Sequence, residues 1–105
     1  MADNVPLPDQ CETMADVRAG VDALDAELVA LLDRRFAYMR AAARIKAERS
    51  AVRDDARKAE VIAHVRALAA SLGLPAEALG EIWERLVEAA IAYELEHWDA
   101  LRRKD

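Results

Sequence analysis

Three charged residues fall on helix faces that are otherwise apolar: Arg35, Lys46 and Glu94. Neither Arg35 nor Lys46 has an acidic residue three or four positions away, where a helical ion pair usually forms. Because a buried charge is strongly unfavourable on its own, each needs an opposite charge from another element or from a ligand. Two interpretations stay open. Either these groups bind an anionic ligand, or one cation bridges to Glu94 or reaches water along its own stem.

The spacing of the two cations favours a shared site. Arg35 and Lys46 are 11 residues apart, which on an α-helix is about 20° around the axis and about three turns along it. They are therefore expected to face the same way. Arg18 and Arg57 are weaker candidates, because each has an acidic residue within four positions that offers an ordinary surface ion pair.

The positive charge is concentrated in the middle of the chain. Residues 34–58 hold nine basic and three acidic residues, which gives this segment a net charge of +6. Since the whole chain has a net charge of −5, the remaining residues together carry −11. A positive centre in an acidic protein favours a small anionic ligand over nucleic acid, which the remaining surface would repel. A merely solvated basic face is the alternative.

Other site chemistries find little support. The sequence has no glycine-rich phosphate loop, and Glu94 with His97 is a single helical pair that does not predict a metal site. Cys11 is the only cysteine, so no internal disulfide is expected and a reducing cytoplasm is the natural compartment. No run of about 18 apolar residues and no secretory signal pattern is found, so neither membrane insertion nor export is expected.

The elements that must position these groups are helices. Apolar residues make up 54% of the 105-residue chain, glycine and proline are scarce, and no segment alternates as a strand would. We predict an all-α domain over residues 13–105 after a flexible leader, residues 1–12. Apolar periodicity and end signals predict three helices, at about 13–49, 54–73 and 75–102.

The length of the first helix predicts a dimer. At about 1.5 Å per residue it would extend roughly 54 Å, too far for two shorter helices of the same chain to cover its apolar side. A second copy of the chain is the simplest cover. We therefore expect an intertwined homodimer with its sites at or near the interface.

The sequence also resembles a known family. The run ADVRAGVDALDAELVALLDRRFAYMRAAARIKAERSAVRDDARK, residues 15–58, is similar to the first helix and following loop of the type II, all-helical chorismate mutases. The joint spacing of Arg18, Arg35 and Lys46 carries the resemblance, which extends over about residues 14–101. The segments CETMADVR and EHWDAL look like the branch that includes isochorismate-pyruvate lyases.

The resemblance implies a role for each candidate residue. Arg18 would reach across the dimer interface to one substrate carboxylate, and Arg35 would bind the other. Lys46 would donate to the ether oxygen of the breaking C–O bond. Arg57 and the backbone around Asp54 would close the site.

Two residues depart from the family pattern. Glu94 stands where many members have Gln, so it would have to be protonated to donate a hydrogen bond. Lys58 stands where many mutases have a Glu that contacts the ring hydroxyl, and the resemblance places it among the substrate-binding residues. These departures bear on pH optimum and substrate preference.

The implied activity is the rearrangement of chorismate to prephenate in aromatic amino-acid biosynthesis. It is unimolecular and pericyclic, so no cofactor or metal is expected. Two arginines suit a dianionic substrate, and a buried lysine suits the charge that grows on the ether oxygen. The alternatives are an isochorismate-pyruvate lyase that gives salicylate and pyruvate, and a non-catalytic helical dimer that regulates another enzyme.

Overall fold

The computed structural model describes residues 5–103, and all regular structure within them is helical. It comprises three α-helices and two short 3-10 turns: α1 (Met14–Ile45), α2 (Asp55–Ser71), α3 (Ala76–Arg102), and the turns Pro8–Gln10 and Arg49–Ala51. The predicted all-α, three-helix fold is confirmed. The first four residues of the predicted leader and the last two of the predicted domain lie outside the described residues.

The first helix begins as predicted but ends earlier. The backbone N–H of Asp16 donates to Thr13 Oγ1 (3.1 Å), and that of Thr13 donates to Asp16 Oδ2 (3.3 Å), which together form a capping box. The helix was expected to continue to about residue 49. It ends at Ile45 instead, and the chain leaves helical geometry before the turn Arg49–Ala51.

The other helix ends follow local chemistry. Asp54 caps α2 by accepting a hydrogen bond from the backbone N–H of Arg57 (3.0 Å). Gly73 ends the same helix with φ of 72°, a left-handed conformation that costs glycine least. Pro75 is the N-cap of α3.

The contacts divide the chain into two compact units, residues 1–35 and 36–105. In the first, the described part of the leader and the start of α1 line an apolar cavity of about 410 Å³. Val5, Leu7, Val17, Val21 and Leu24 contribute to its lining. The leader is thus associated with the helix in this unit.

The second unit contains the core. Val52, Val87 and Ile91 form a buried cluster, against which four half-buried side chains pack: Val61, Trp83, Leu95 and Trp98. Helix α2 packs on α3, and Gly80 is buried at their contact. A Cβ atom at Gly80 would lie 2.5 Å from Arg66 Nε, so the missing side chain permits the close approach.

No helix within residues 5–103 is both long and apolar enough to cross a membrane.

Candidate functional site

Lys46 and Glu94 meet in the second unit. Lys46 follows the last residue of α1, and its Nζ lies 2.8 Å from Glu94 Oε2 on α3. Glu94 is only 3% exposed, whereas the side chain of Lys46 retains 30% of its accessible surface. The structure therefore contains an ion pair between Lys46 and Glu94, which was one of the two interpretations of the sequence.

The Lys46–Glu94 contact leaves hydrogen-bonding capacity unused. Its angles are not those of a hydrogen bond, and Glu94 Oε2 has no hydrogen-bond partner among the described residues. Lys46 Nζ donates instead to the Val52 carbonyl, at 3.4 Å. The Lys46 ammonium compensates the charge of this buried oxygen, but no donor is aligned with it, and a buried polar atom is most stable with a hydrogen bond. The pair is thus a place where a polar group of a ligand would be stabilised.

The main chain of Lys46 is held by two side chains of α3. The Lys46 carbonyl accepts hydrogen bonds from Trp98 Nε1 (3.0 Å) and from Arg102 Nη2 (2.7 Å). Arg102 Nη1 also donates to the Ala43 carbonyl, at 3.0 Å. These bonds satisfy carbonyls at the end of α1 that the helix itself cannot satisfy, and a cation there complements the helix dipole.

The sequence did not single out Trp98 or Arg102. Their spacing could have identified them. Together with Glu94 they recur every four residues, so all three lie on one face of α3.

The start of α2 brings three predicted site residues together. Asp54 caps the helix through the backbone of Arg57, and the Arg57 guanidinium binds Glu60, as its sequence neighbourhood indicated. The Lys58 ammonium donates to Glu84 Oε1 (2.6 Å) and Glu88 Oε2 (2.7 Å) on α3. The site role of these three residues stays a prediction, and Lys58 already contacts two carboxylates.

A charged network around Glu88 joins the segment before α2 to α3. Arg53 donates to Glu88 Oε1 (2.7 Å) and Oε2 (3.1 Å) and also to Asp55 Oδ1 (3.1 Å). Hydrogen bonds from Arg53 and then from Lys58 lower the pKa of Glu88 from 4.5 to about 2. Hydrogen bonds to Glu84 and Glu88 raise the pKa of Lys58. The network therefore keeps Glu88 ionised at all ordinary pH values.

Arg49 and Asp99 form a second ion pair, which binds the earlier part of the segment between α1 and α2 to α3. Arg49 Nε lies 2.8 Å from Asp99 Oδ1, and its Nη2 lies 3.2 Å from Oδ2, a bidentate arrangement. The hydrogen bond from Arg49 lowers the pKa of Asp99. Arg49 and Arg53 thus bind α3 on either side of Val52, which is buried in the core.

The two remaining predicted residues lie on α1 in the first unit. Arg18 is exposed and Arg35 is half-buried. Within residues 5–103 no ion pair joins Arg18 to Asp22, the surface partner that the sequence offered. The site role of Arg18 stays a prediction.

His97 makes contacts that account for it without a metal. Its ring packs on Tyr93 with centroids 4.4 Å apart, and its Nδ1 lies 3.3 Å from the Tyr93 carbonyl oxygen. Among the described residues, no three His, Cys, Asp or Glu side chains are grouped as a metal site would need.

Comparison with known proteins identifies the family. The sequence profile of the family described as chorismate mutase type II matches residues 17–95. The chain is 30% identical over 95 residues to an isochorismate pyruvate lyase of Pseudomonas aeruginosa, a match that covers 90% of this chain and 94% of the lyase. The match spans Lys46 and Glu94, as well as the segment between α1 and α2. The chain therefore belongs to the type II chorismate mutase family.

Proposed function

We propose that this protein is a chorismate mutase, which rearranges chorismate to prephenate in aromatic amino-acid biosynthesis. The observation that carries the proposal is the contact of Lys46 with a buried Glu94 that has no hydrogen bond at Oε2, in a chain of this family. The reaction is unimolecular, so the protein has to bind one folded conformer and stabilise its transition state, and needs neither cofactor nor metal.

Lys46 and Glu94 would act on the ether oxygen. Negative charge grows on this oxygen as the C–O bond breaks, and preorganised donors in a water-poor site stabilise it. Lys46 donates as an ammonium. Glu94 donates only when protonated, because an ionised carboxylate accepts and would repel the developing charge.

The substrate carboxylates would be bound by arginines. Arg35 would bind one of them, and Arg18 from a second copy of the chain would bind the other, because guanidinium groups bind carboxylates in a planar, bidentate manner. Around the start of α2, Asp54, Arg57 and Lys58 would line the remaining side of the site. Since Lys58 already binds Glu84 and Glu88, its part would be to hold these groups in place.

The intertwined homodimer is part of the proposal. In the first unit, four large apolar side chains of α1 are each at least half exposed: Val21, Leu24, Leu28 and Leu31. Their spacing of three and four residues forms a continuous stripe, which a soluble helix buries against another element. A second copy, with residues 13–105 as its folded domain and 1–12 as its leader, would cover this stripe. A reducing cytoplasm suits such an enzyme, which has one cysteine.

A second candidate is isochorismate-pyruvate lyase activity. The observation that favours it is the 30% identity to a protein of that name over nearly the whole of both chains. Isochorismate and chorismate are both dianions with an enolpyruvyl ether, so the same arginines would serve either. The third candidate, a non-catalytic regulatory dimer, gives no role to the joint presence of Arg18, Arg35 and Lys46 at the spacing of the family.

The test is a direct comparison of substrates. Purified protein is incubated with chorismate and, separately, with isochorismate, and prephenate, salicylate and pyruvate are quantified by chromatography. The proposal expects prephenate as the main product, with the larger kcat/KM for chorismate. Salicylate and pyruvate as the dominant products would favour the lyase, and no turnover of either substrate would favour the regulatory dimer. Glu81→Gln, an exposed carboxyl on α3, controls for non-specific effects of substitution.

A further inference from the structure

The C-terminal part of α3 contacts both the side chain and the main chain of Lys46. Glu94, Trp98 and Arg102 are four residues apart in sequence, so their side chains lie in a row along one face of the helix. Glu94 contacts the ammonium of Lys46, and Trp98 and Arg102 bind its carbonyl. We propose that Trp98 and Arg102 are positioning residues, which fix the main chain of Lys46 so that its ammonium stays at the reacting oxygen. The proposal rests on the proposed function.

Lys46 needs such support because of where α1 ends. Its backbone N–H still donates to the Ala42 carbonyl, at 2.9 Å, but Lys46 itself is outside the helix. Helix ends fray, since their last carbonyls lack intrahelical partners. Without contacts from outside α1, a lysine at this point would have a mobile backbone in addition to four flexible side-chain bonds. Precise placement of the ammonium therefore depends on contacts from outside α1.

Trp98 and Arg102 supply those contacts as one unit. The Arg102 guanidinium carbon lies 4.2 Å from the centroid of the Trp98 ring, a cation–π contact. Arg102 also spans two carbonyls of the α1 end, those of Ala43 and Lys46. The planar guanidinium can bridge two acceptors in fixed geometry, which an ammonium cannot do in the same way. The two side chains thus restrain each other and Lys46 together.

Neither residue is proposed to touch the substrate. Both bind the carbonyl of Lys46, and the effect on catalysis would pass through the orientation of its side chain. A displacement of about 1 Å in a catalytic group can lower a rate by up to about 100-fold. Loss of one restraint is therefore expected to reduce kcat rather than to weaken substrate binding.

The experiment compares three variants of the full-length protein. Trp98→Phe keeps an aromatic ring but removes the N–H donor. Arg102→Met keeps an unbranched stem but removes both donor nitrogens, and Arg102→Lys restores the charge with a single donor nitrogen. Arg85→Met is the matched control, because Arg85 is an exposed arginine of the same helix. We measure kcat and KM for the preferred substrate, together with the melting temperature.

The expected result separates kcat from KM. Trp98→Phe and Arg102→Met should each lower kcat about 10-fold or more and change KM less than about twofold. Arg102→Lys should recover part of the loss, and Arg85→Met should match the wild type. Unchanged kcat per folded protein, or a rise in KM with kcat preserved, would overturn the proposal. Because Arg102 is exposed, its variants fold and remain informative even if Trp98→Phe does not.

A second readout distinguishes this inference from the proposed function. If the wild type turns over neither substrate, the proposed function fails, and amide hydrogen exchange at Lys46 then tests the restraint by itself. Exchange should be at least about 10-fold faster in Arg102→Met than in Arg85→Met, because the released carbonyl lets the end of α1 fray. Equal exchange in the two variants would show that Arg102 does not restrain Lys46.

Discussion

The guanidinium of Arg53 binds both carboxylate oxygens of Glu88, at 2.7 and 3.1 Å, and so fastens the segment before α2 to α3. Lys58 approaches the same carboxylate from α2, at 2.7 Å. Three elements of the second unit therefore converge on one ionised group.

This convergence predicts a loss of stability in acid. The pKa of Glu88 is about 2, below its ordinary value of 4.5, so the folded protein holds this carboxylate ionised more strongly than the unfolded chain does. The resulting stabilisation is complete above about pH 4.5 and is lost as pH falls toward 2. Urea unfolding of Glu88→Gln should depend less on pH between 2 and 5 than that of the wild type. Glu81→Gln, at an exposed position, should retain the wild-type dependence.

Loss of a catalytic cation should affect rate more than folding. Lys46→Met and Arg35→Ala are each expected to lower the rate with chorismate by at least about 100-fold, the scale for one preorganised donor. Their melting temperatures should fall little or even rise if the two cations serve catalysis rather than folding. Arg44→Met, two residues earlier and exposed, serves as the control. If Lys46→Met unfolds the protein and leaves no separable kinetic effect, the Lys46–Glu94 contact is structural.

Glu94→Gln tests whether position 94 has to donate a hydrogen bond. An amide always offers N–H donors to the ether oxygen, whereas an ionised carboxylate can only accept and would repel the developing charge. Glu94→Gln should therefore keep or raise kcat with chorismate, and it is also expected to increase any lyase activity. A folded but inactive Glu94→Gln variant would exclude Glu94 as a donor to the ether oxygen.

Mixed dimers can test whether Arg18 acts across an interface. Arg18→Ala and Lys46→Met proteins, each nearly inactive, are unfolded together and refolded as an equal mixture. If each site takes Arg18 from one copy and Lys46 from the other, half of the dimers contain one intact site. The mixture should then recover about a quarter of wild-type activity. No recovery would mean that both residues act within one chain, and a folded, active monomer in ultracentrifugation would exclude the dimer.

Two glycines should respond to alanine in opposite directions. Gly73→Ala forces a side chain into a left-handed conformation, at φ of 72°, and should lower the free energy of unfolding by about 1 kcal/mol. Gly20→Ala lies inside α1, where a Cβ atom would meet Val5 Cγ1 at an ordinary 3.6 Å. It should raise stability by up to about 1 kcal/mol through helix propensity. Chemical denaturation of both variants measures the difference.

Local chemistry made most helix ends predictable. The Thr13–Asp16 box, the Asp54 cap and the left-handed Gly73 act within four residues of the ends that they define. Start and stop signals in the sequence predict such short-range effects directly.

The end of α1 was not predictable in this way. No glycine or proline interrupts the sequence there, and the periodicity alone continued to about residue 49. The carbonyls of Ala43 and Lys46 are bound by Arg102, which lies 59 and 56 residues further along the chain. Only the tertiary structure brings these groups together.

The candidate site likewise contains residues that could be predicted from the sequence and residues whose contacts could not. Lys46 and Glu94 stood out because charged residues on apolar stripes are conspicuous in a sequence, and the structure joins them. Lys58 was assigned to substrate, whereas its nearest partners are Glu84 and Glu88, 26 and 30 residues away. Exposed acids on a helix resemble any solvated face until the opposing element is known.

The row of Glu94, Trp98 and Arg102 also sets the kind of genetic change that α3 can accept. Replacement of one of these side chains removes the contacts of that side chain alone. A deletion or insertion of one residue between Glu94 and Arg102 instead rotates everything beyond it by about 100° and turns the later members of the row away from α1. The last two turns of α3 should therefore keep a fixed length among functional descendants of this chain.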